Sequence, residues 1–447
     1  MAWGMEGSSG GQRPSRPPRW QHRAHSDANA HAGCSGSEPS PSCDHPLVSR
    51  QPPELITQQD QLTRLLEYLK AAGSFAYDSE FIGELSYEPQ LCLIQVASAS
   101  RIALIDPLAQ IDVTPFWELV AEASVEKVVH AGLQDVEPLF RRVNRPPANL
   151  FDTQIAAGFV GLGYPLSLSK LVGAVLGVKL SKGLTFTHWD RRPLSDHQLR
   201  YAADDVRYLP AVRQEIGKRL EAAGHSAWAK EESSALADPS LYAFDPERQY
   251  LRLRGAGGLP PRNQAVLREL MNWRDQAARQ EDLPPRTLLR DQILIEMARA
   301  PVESVAGLAK VRGLPRPVES AHGAEIVQAT RRAMALPHDQ LPTVVNHEPT
   351  PPDKFRADAL HFALQCLCAG RQIDPTLVAS RQEIGELYRL WRSGEDPSAM
   401  RLLRGWRRQA VGEALLALLR GEQHLSVRWT GDALQTSVGR IPPATKE

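Results

Sequence analysis

The chain is poor in cysteine, carries no net charge and has no long apolar run. Five cysteines serve 447 residues: Cys34 and Cys43 in a low-complexity head, Cys92 in an apolar run, Cys366 and Cys368 in a helical pattern. That usage gives no disulfide framework, and C-x-C without further Cys or His at zinc spacing is a poor metal signature. Reduced structural thiols are the expectation. Lys plus Arg number 52 and Asp plus Glu also 52, so the overall charge does not advertise nucleic acid, although it leaves room for a local basic groove. No stretch approaches the ~20 apolar residues that span a bilayer, and the N-terminus lacks the apolar segment of a secretory signal. A soluble, cytoplasmic protein with no membrane partner is expected.

What is present divides along the chain. Residues 1–50 are rich in Gly, Ser, Pro, His and Arg with almost no aliphatics, and predict a disordered low-complexity segment. Residues 51–225 carry an α/β pattern: a helix in "TQQDQLTRLLEYLKAAG", then the β-type runs "SFAYDSEF", "QLCLIQVAS" and "RIALIDP", then alternating helix and strand. Such an order indicates a mixed sheet covered by helices. A linker is expected over 226–244, an all-helical block over 245–335, a Pro-rich linker over 336–352, a second helical block over 353–425 and a flexible tail over 426–447.

The acidic residues of the α/β part are placed oddly. Asp78 and Glu80, in "FAYDSEF", are two apart on a strand and so point the same way. At roughly 6.6 Å and an effective dielectric near 20 their repulsion is roughly 2.5 kcal/mol, before desolvation. A divalent cation, a basic partner or exposure at a sheet edge could each offset it. In "KVVHAGLQDVEPL", Asp135 falls in the first turns of a helix, where an acid also favours the helix dipole. In "SDHQLRYAADDVRYL", Ser195 and Gln198 form a capping box that fixes the helix start. Tyr201 and Asp205 are then i and i+4 on one face, Asp204 lies about 100° away, and Pro210 predicts a kink.

"DSEF", "YEPQLCLIQ", "VVHAGLQDVEPL", "LFDTQIAA" and "HWDRRPLSDHQLRYAADDVRYL", in that order, strongly resemble ribonuclease D and the wider DEDD superfamily of 3'-to-5' exonucleases. The motifs match at Asp78 and Glu80, at Asp135, and at Tyr201 with Asp205, the Y-x-x-x-D form of the tyrosine subclass; His197 stands too far from Asp205 for the histidine form. Residues 245–335 resemble the HRDC module, a helical nucleic-acid-binding domain, and 353–425 are similar to the further helical region of ribonuclease D relatives. The resemblance implies a ribonuclease H-like (DnaQ-like) mixed-sheet exonuclease domain followed by all-helical HRDC and HRDC-like domains.

It also implies a catalytic set of Asp78, Glu80, Asp135, Tyr201 and Asp205, the four carboxylates holding two divalent ions, Mg²⁺ or Mn²⁺, which prefer oxygen ligands. Tyr201, with an ordinary pKa near 10, is better suited to orienting the nucleophilic water than to taking its proton. Phe81 faces away from the acids on a regular strand, yet the resemblance places it as a contact of the terminal nucleotide by stacking. Asp152 reads as an N-cap and His130 as a core histidine. Arg252, Arg254, Arg262 and Arg268 are candidate phosphate contacts of the HRDC block. The implied activity is an exoribonuclease releasing 5'-mononucleotides from structured RNA, tRNA precursors foremost; the sequence leaves the oligomeric state open, a monomer being favoured. A DNA exonuclease of the same fold and a non-catalytic nucleic-acid-binding scaffold are the alternatives.

Overall fold

The computed structural model describes residues 45–46, 48–49, 51–83, 86–180, 187–342, 350–431 and 433–441. The head expected to be disordered therefore lies outside the described residues except for four positions, and so does 343–349 of the expected second linker. No helix among the described residues is long and apolar enough to cross a membrane.

The first part runs β1 (Glu54–Ile56), α1 (Gln59–Ala72), β2 (Ser74–Ile82), β3 (Gln90–Ala97), β4 (Ile102–Ile105), α2 (Thr114–Val120), β5 (Glu126–Val129), α3 (Leu133–Val143), β6 (Leu150–Asp152), α4 (Thr153–Gly158), α5 (Leu168–Leu176), α6 (Asp196–Arg207) and α7 (Leu209–Ala223). Its six strands lie in the order β1-β4-β3-β2-β5-β6. β3 is antiparallel to both neighbours, and the remaining pairs are parallel. This is the mixed sheet that a ribonuclease H-like domain requires.

Alternation along β2 sorts its side chains between two cores. Phe75 and Tyr77 point to one face and meet Phe116 and Trp117 of α2 in edge-on and tilted ring pairs, with Leu62, Leu65 and Leu69 of α1 completing that layer. Ala76 points to the other face, beneath Phe159, Val206 and Val212. The helix expected to open at Ser195 does so, with the Ser195–Gln198 capping box formed, and it breaks at Tyr208 ahead of Pro210. A single long helix becomes two.

Four expectations downstream need correction. The segment 226–244 is not a simple linker: α8 (Ser226–Ser234) packs on β6 and buries Ala229 and Ser233. The helical block that follows comprises α9 (Pro246–Gln249), α10 (Pro261–Gln280), α11 (Pro285–Leu288), α12 (Asp291–Arg299), α13 (Val305–Leu308) and α14 (Arg316–Met334). It has a core of its own, including Leu270, Trp273, Leu294 and Ile326. It touches the sheet domain through Tyr87: the Tyr87 hydroxyl donates to Asp275 at 2.6 Å, its backbone N–H to Asp282 at 3.0 Å, and the Arg279 guanidinium lies 4.6 Å from its ring centroid. Two of the four arginines expected to meet phosphate are used internally instead. Arg262 donates to the carbonyls of Met334 and Leu336, and Arg268 pairs with Glu247; Arg252 and Arg254 remain exposed.

The last part contains α15 (Pro351–Gly370), α16 (Pro375–Val378), α17 (Arg381–Ser393), α18 (Gly405–Arg407) and α19 (Glu413–Leu419). It was expected as a separate domain, but Leu364, Leu377, Leu387, Trp406 and Val411 lie in one continuous core with Phe159 and Ala229. Arg407 fixes the seam: its guanidinium donates to both Glu232 oxygens at 2.7 and 2.6 Å and to the carbonyls of Leu377 and Val378. Local periodicity cannot register this, because the apolar faces concerned are some 200 positions apart in sequence. The tail expected to be flexible forms a hairpin, β7 (Gln423–Thr430) with β8 (Ala433–Arg440). Most of its described side chains are exposed, so burial gives little signal; the cross-strand ladder and a bond from the Thr436 hydroxyl to the Cys366 carbonyl hold it.

Because Arg407 is buried and bidentate, removing it strands Glu232 in the seam. Arg407→Ala should lower the stability of the sheet domain by about 3 kcal/mol, read as a drop in the urea midpoint. Arg407→Lys should recover little of the loss, since an ammonium cannot reproduce the fork.

Candidate active site

Three elements carry the predicted residues to one place. Asp78 and Glu80 stand on the face of β2 covered by α6, which supplies Tyr201 and Asp205, and Asp135 comes from the first turn of α3. The entry into α3 is built by a short turn. Ala131 adopts a left-handed φ of 59°, and a Cβ on Gly132 would sit 2.5 Å from Val129, so glycine is required there. Asp152 locks this turn: its carboxylate accepts from the N–H groups of Ala131 and Gly132, and also from Gln154 and Ile155 as the N-cap of α4. The expected N-cap is thus also the clamp that sets Asp135. His130 bonds the Thr153 hydroxyl at 3.0 Å, and burial lowers its pKa, as suits a neutral core histidine.

The carboxylates act on one another. Burial first, then the charges of Asp205 and Glu80, push the Asp78 carboxyl up to about 7. Burial and Asp135 raise Glu80 to about 7, and burial with Glu80 and Asp204 raises Asp205 to about 8. Asp135 is raised well above the usual carboxylate range by burial and by Asp78, with which it shares a hydrogen bond; the Ser79 hydroxyl donates to its Oδ1. The dominant neighbours of each acid are other acids.

Tyr201 is half-buried and hydrogen-bonded to Asp205, and burial together with Asp205, Glu80 and Asp78 raises its pKa above that of a free phenol. It is a protonated phenol at neutral pH. The Trp189 ring lies against it at 6.2 Å between centroids. The loop carrying Trp189 is pinned by Arg192, which donates to both oxygens of the buried Asp106 at 2.6 Å and to the carbonyls of Trp189 and Cys92. This brace lies in the sequence as "HWDRRP", but nothing local in that string names Asp106 as the partner.

Phe81 departs from simple alternation. The β2–β3 register shifts between Glu80 and Phe81, leaving Cys92 as the extra residue on β3. Phe81 packs partly on the aromatic core and lines a cavity of about 400 Å³ with Leu91, Gln134, Pro138, Arg141 and Arg142. A larger cavity, about 690 Å³, lies between α15 and α17 among residues such as Arg381 and Glu395, away from the acids.

The donor set fits hard divalent cations: four carboxylates, Asp135 buried and the other three half-buried, each facing other negative charge. Among the described residues, no three His, Cys, Asp or Glu side chains converge on one cation position as arranged here. Asp78 and Asp135 lie within hydrogen-bond reach of one another instead.

Comparison with known proteins agrees with this reading of the fold. Residues 53–221 match a family model described as a 3'-5' exonuclease, and residues 263–330 match the HRDC domain. The ribonuclease D of Gluconacetobacter diazotrophicus is 35% identical over 393 residues, covering 87% of this chain and 97% of the relative. That of Zymomonas mobilis is 35% identical over 382 residues, covering 84% and 96%. The crystal structure of Escherichia coli RNase D, described as an exoribonuclease involved in structured RNA processing, aligns with a TM-score of 0.72 at 31% identity, covering 83% of this chain and 99% of that one.

Acids with raised folded-state pKa values stabilise the fold at low pH and lose that contribution as pH rises through the folded values, here about 7 to about 8. In chelator, the melting temperature should therefore fall between about pH 5.5 and about pH 8.5. Asp205→Asn should remove part of that fall and stabilise the chelated protein at the upper end by about 1–3 kcal/mol. Parallel melts of both proteins across that range check it.

Proposed function

The chain belongs to the ribonuclease D family and is a 3'-to-5' exoribonuclease; from that premise we propose that Asp78, Glu80, Asp135 and Asp205 hold a pair of divalent cations, Mg²⁺ or Mn²⁺, and that Tyr201 orients the attacking water. The observation that carries this reading is the gathering of four carboxylates from β2, α3 and α6 around one face of the sheet, beside the Tyr201 hydroxyl. When bound, such cations offset the carboxylate repulsion and withdraw charge from the scissile phosphate.

The reaction breaks the P–O3' bond of the last phosphodiester, adds water to phosphorus and releases a 5'-mononucleotide. Asp78 and Glu80 sit on a central strand and Asp135 on a clamped turn, so their positions cost little reorganisation during the reaction. Tyr201 is held between Asp205 and Trp189. Its protonated hydroxyl suits it to align a water by hydrogen bonding and makes it a poor proton acceptor.

Phe81 offers a ring to the terminal base, and Arg141 and Arg142 line the same cavity. Exposed Arg252 and Arg254 of the HRDC block are free to contact backbone phosphates of the same RNA. The substrate class that fits is structured RNA with a free 3' end, tRNA precursors foremost, processed in the cytoplasm by a monomer.

With a 3'-extended tRNA precursor and Mg²⁺ the full chain should give a ladder of single-nucleotide steps. Chelator or Asp78→Ala should abolish it, with kcat falling by about 10³-fold or more. Tyr201→Phe should lower kcat by about 10²-fold with little change in KM. A matched DNA strand degraded as fast as the RNA, or a preparation that binds RNA yet yields no ladder with either metal, would overturn the assignment.

A further inference from the structure

Gln95 lies in the middle of β3, fully buried, and neither its amide nitrogen nor its amide oxygen has a hydrogen-bond partner. An amide buried in this way costs about 1–3 kcal/mol relative to a paired one, and an apolar side chain of the same size would avoid the cost. Its neighbours along β3 and on β4 give no structural reason for it. On its face of the sheet Leu93 and Ala97 flank it along β3, and Leu104 stands opposite it on β4. Such a patch asks for leucine.

Across β2 the picture differs. The antiparallel register pairs Gln95 with Asp78. Directly opposed residues emerge on the same face with Cβ atoms roughly 4.5–5.5 Å apart, a gap that a glutamine side chain spans. An ionised carboxylate only accepts hydrogen bonds, and the amide nitrogen of Gln95 has two to donate. Asp135 already has a comparable support in the Ser79 hydroxyl.

We propose that Gln95 is a positioning residue for Asp78: once a cation is bound, its amide N–H, unpartnered in this structure, turns to donate to the Asp78 carboxylate and fixes the direction in which that carboxylate faces the cation. The stability that the buried amide costs is offset by orientation of a ligand. This rests on the assignment of Asp78 as a ligand, and the experiment separates the two. Partners that orient metal ligands are worth about 10–100-fold in metal affinity.

The test uses the full chain, with Mn²⁺ binding followed by the electron paramagnetic resonance of free Mn²⁺ and stability by urea unfolding in chelator. Gln95→Met keeps the volume and removes the amide, and Gln95→Leu is the second variant. Both should bind Mn²⁺ about ten-fold or more weakly while their chelated stability equals or exceeds that of the parent. Affinity within about two-fold of the parent in both variants would overturn the proposal, as would a loss of affinity matched by a loss of chelated stability in both, which is the mark of a packing role. Asp78→Asn is the control. If it binds Mn²⁺ as tightly as the parent, the assignment of Asp78 fails, and the role of Gln95 falls with it for a separate reason.

Discussion

Negative charge crowded where water solvates it poorly is the constraint around which this molecule is built. Burial dominates the raised proton affinity of Asp78, Glu80, Asp135 and Asp205, and each is raised further by the charge of at least one other member of the set. No fold adopts such an arrangement for stability, because each charge repels its neighbours and has given up its hydration. It persists only where the rest of the structure over-determines it, and the architecture on both sides of the sheet does so. The interlocked rings of Phe75, Tyr77, Phe116 and Trp117 hold β2 from below, and α6 closes over it with its start fixed by a capping box.

Two further acids show that position, not type, decides what a carboxylate does here. Asp152 is saturated by four backbone N–H groups and works as a clamp. Asp106 is saturated by a bidentate arginine and works as an anchor for the loop that carries Trp189. Both are as buried as any acid of the site, yet each has the donors that an anion needs. The four site carboxylates stand apart because their neighbours are chiefly acceptors.

Much of this was legible before any coordinates. Alternation along "FAYDSEF" put Asp78 and Glu80 together, and the Ser195–Gln198 box made the i, i+4 relation of Tyr201 and Asp205 trustworthy. What was not legible depends on partners far away in sequence. The register shift after Glu80 arises from pairing with β3, and no feature of residues 80–81 alone encodes it. The second duty of Asp152, the Arg192–Asp106 brace and the docking of Tyr87 on Asp275 are pairings across 20 to 188 positions. The tail hairpin is hidden for the opposite reason: it is nearly all surface, so the burial pattern that marks other strands is faint there.

The seam between α8 and α18 has a further implication for how the polypeptide comes into being. Phe159 and Ala229 find their covering partners, Leu377 and Trp406, only after the whole of α9–α14 has been made. As the nascent chain leaves the ribosome, the nuclease layer must wait with a bare greasy flank while an intervening module, equipped with its own core, completes itself first. The C-terminal helices are thus the closing piece of the catalytic body, and a chain released early would be sticky as well as short.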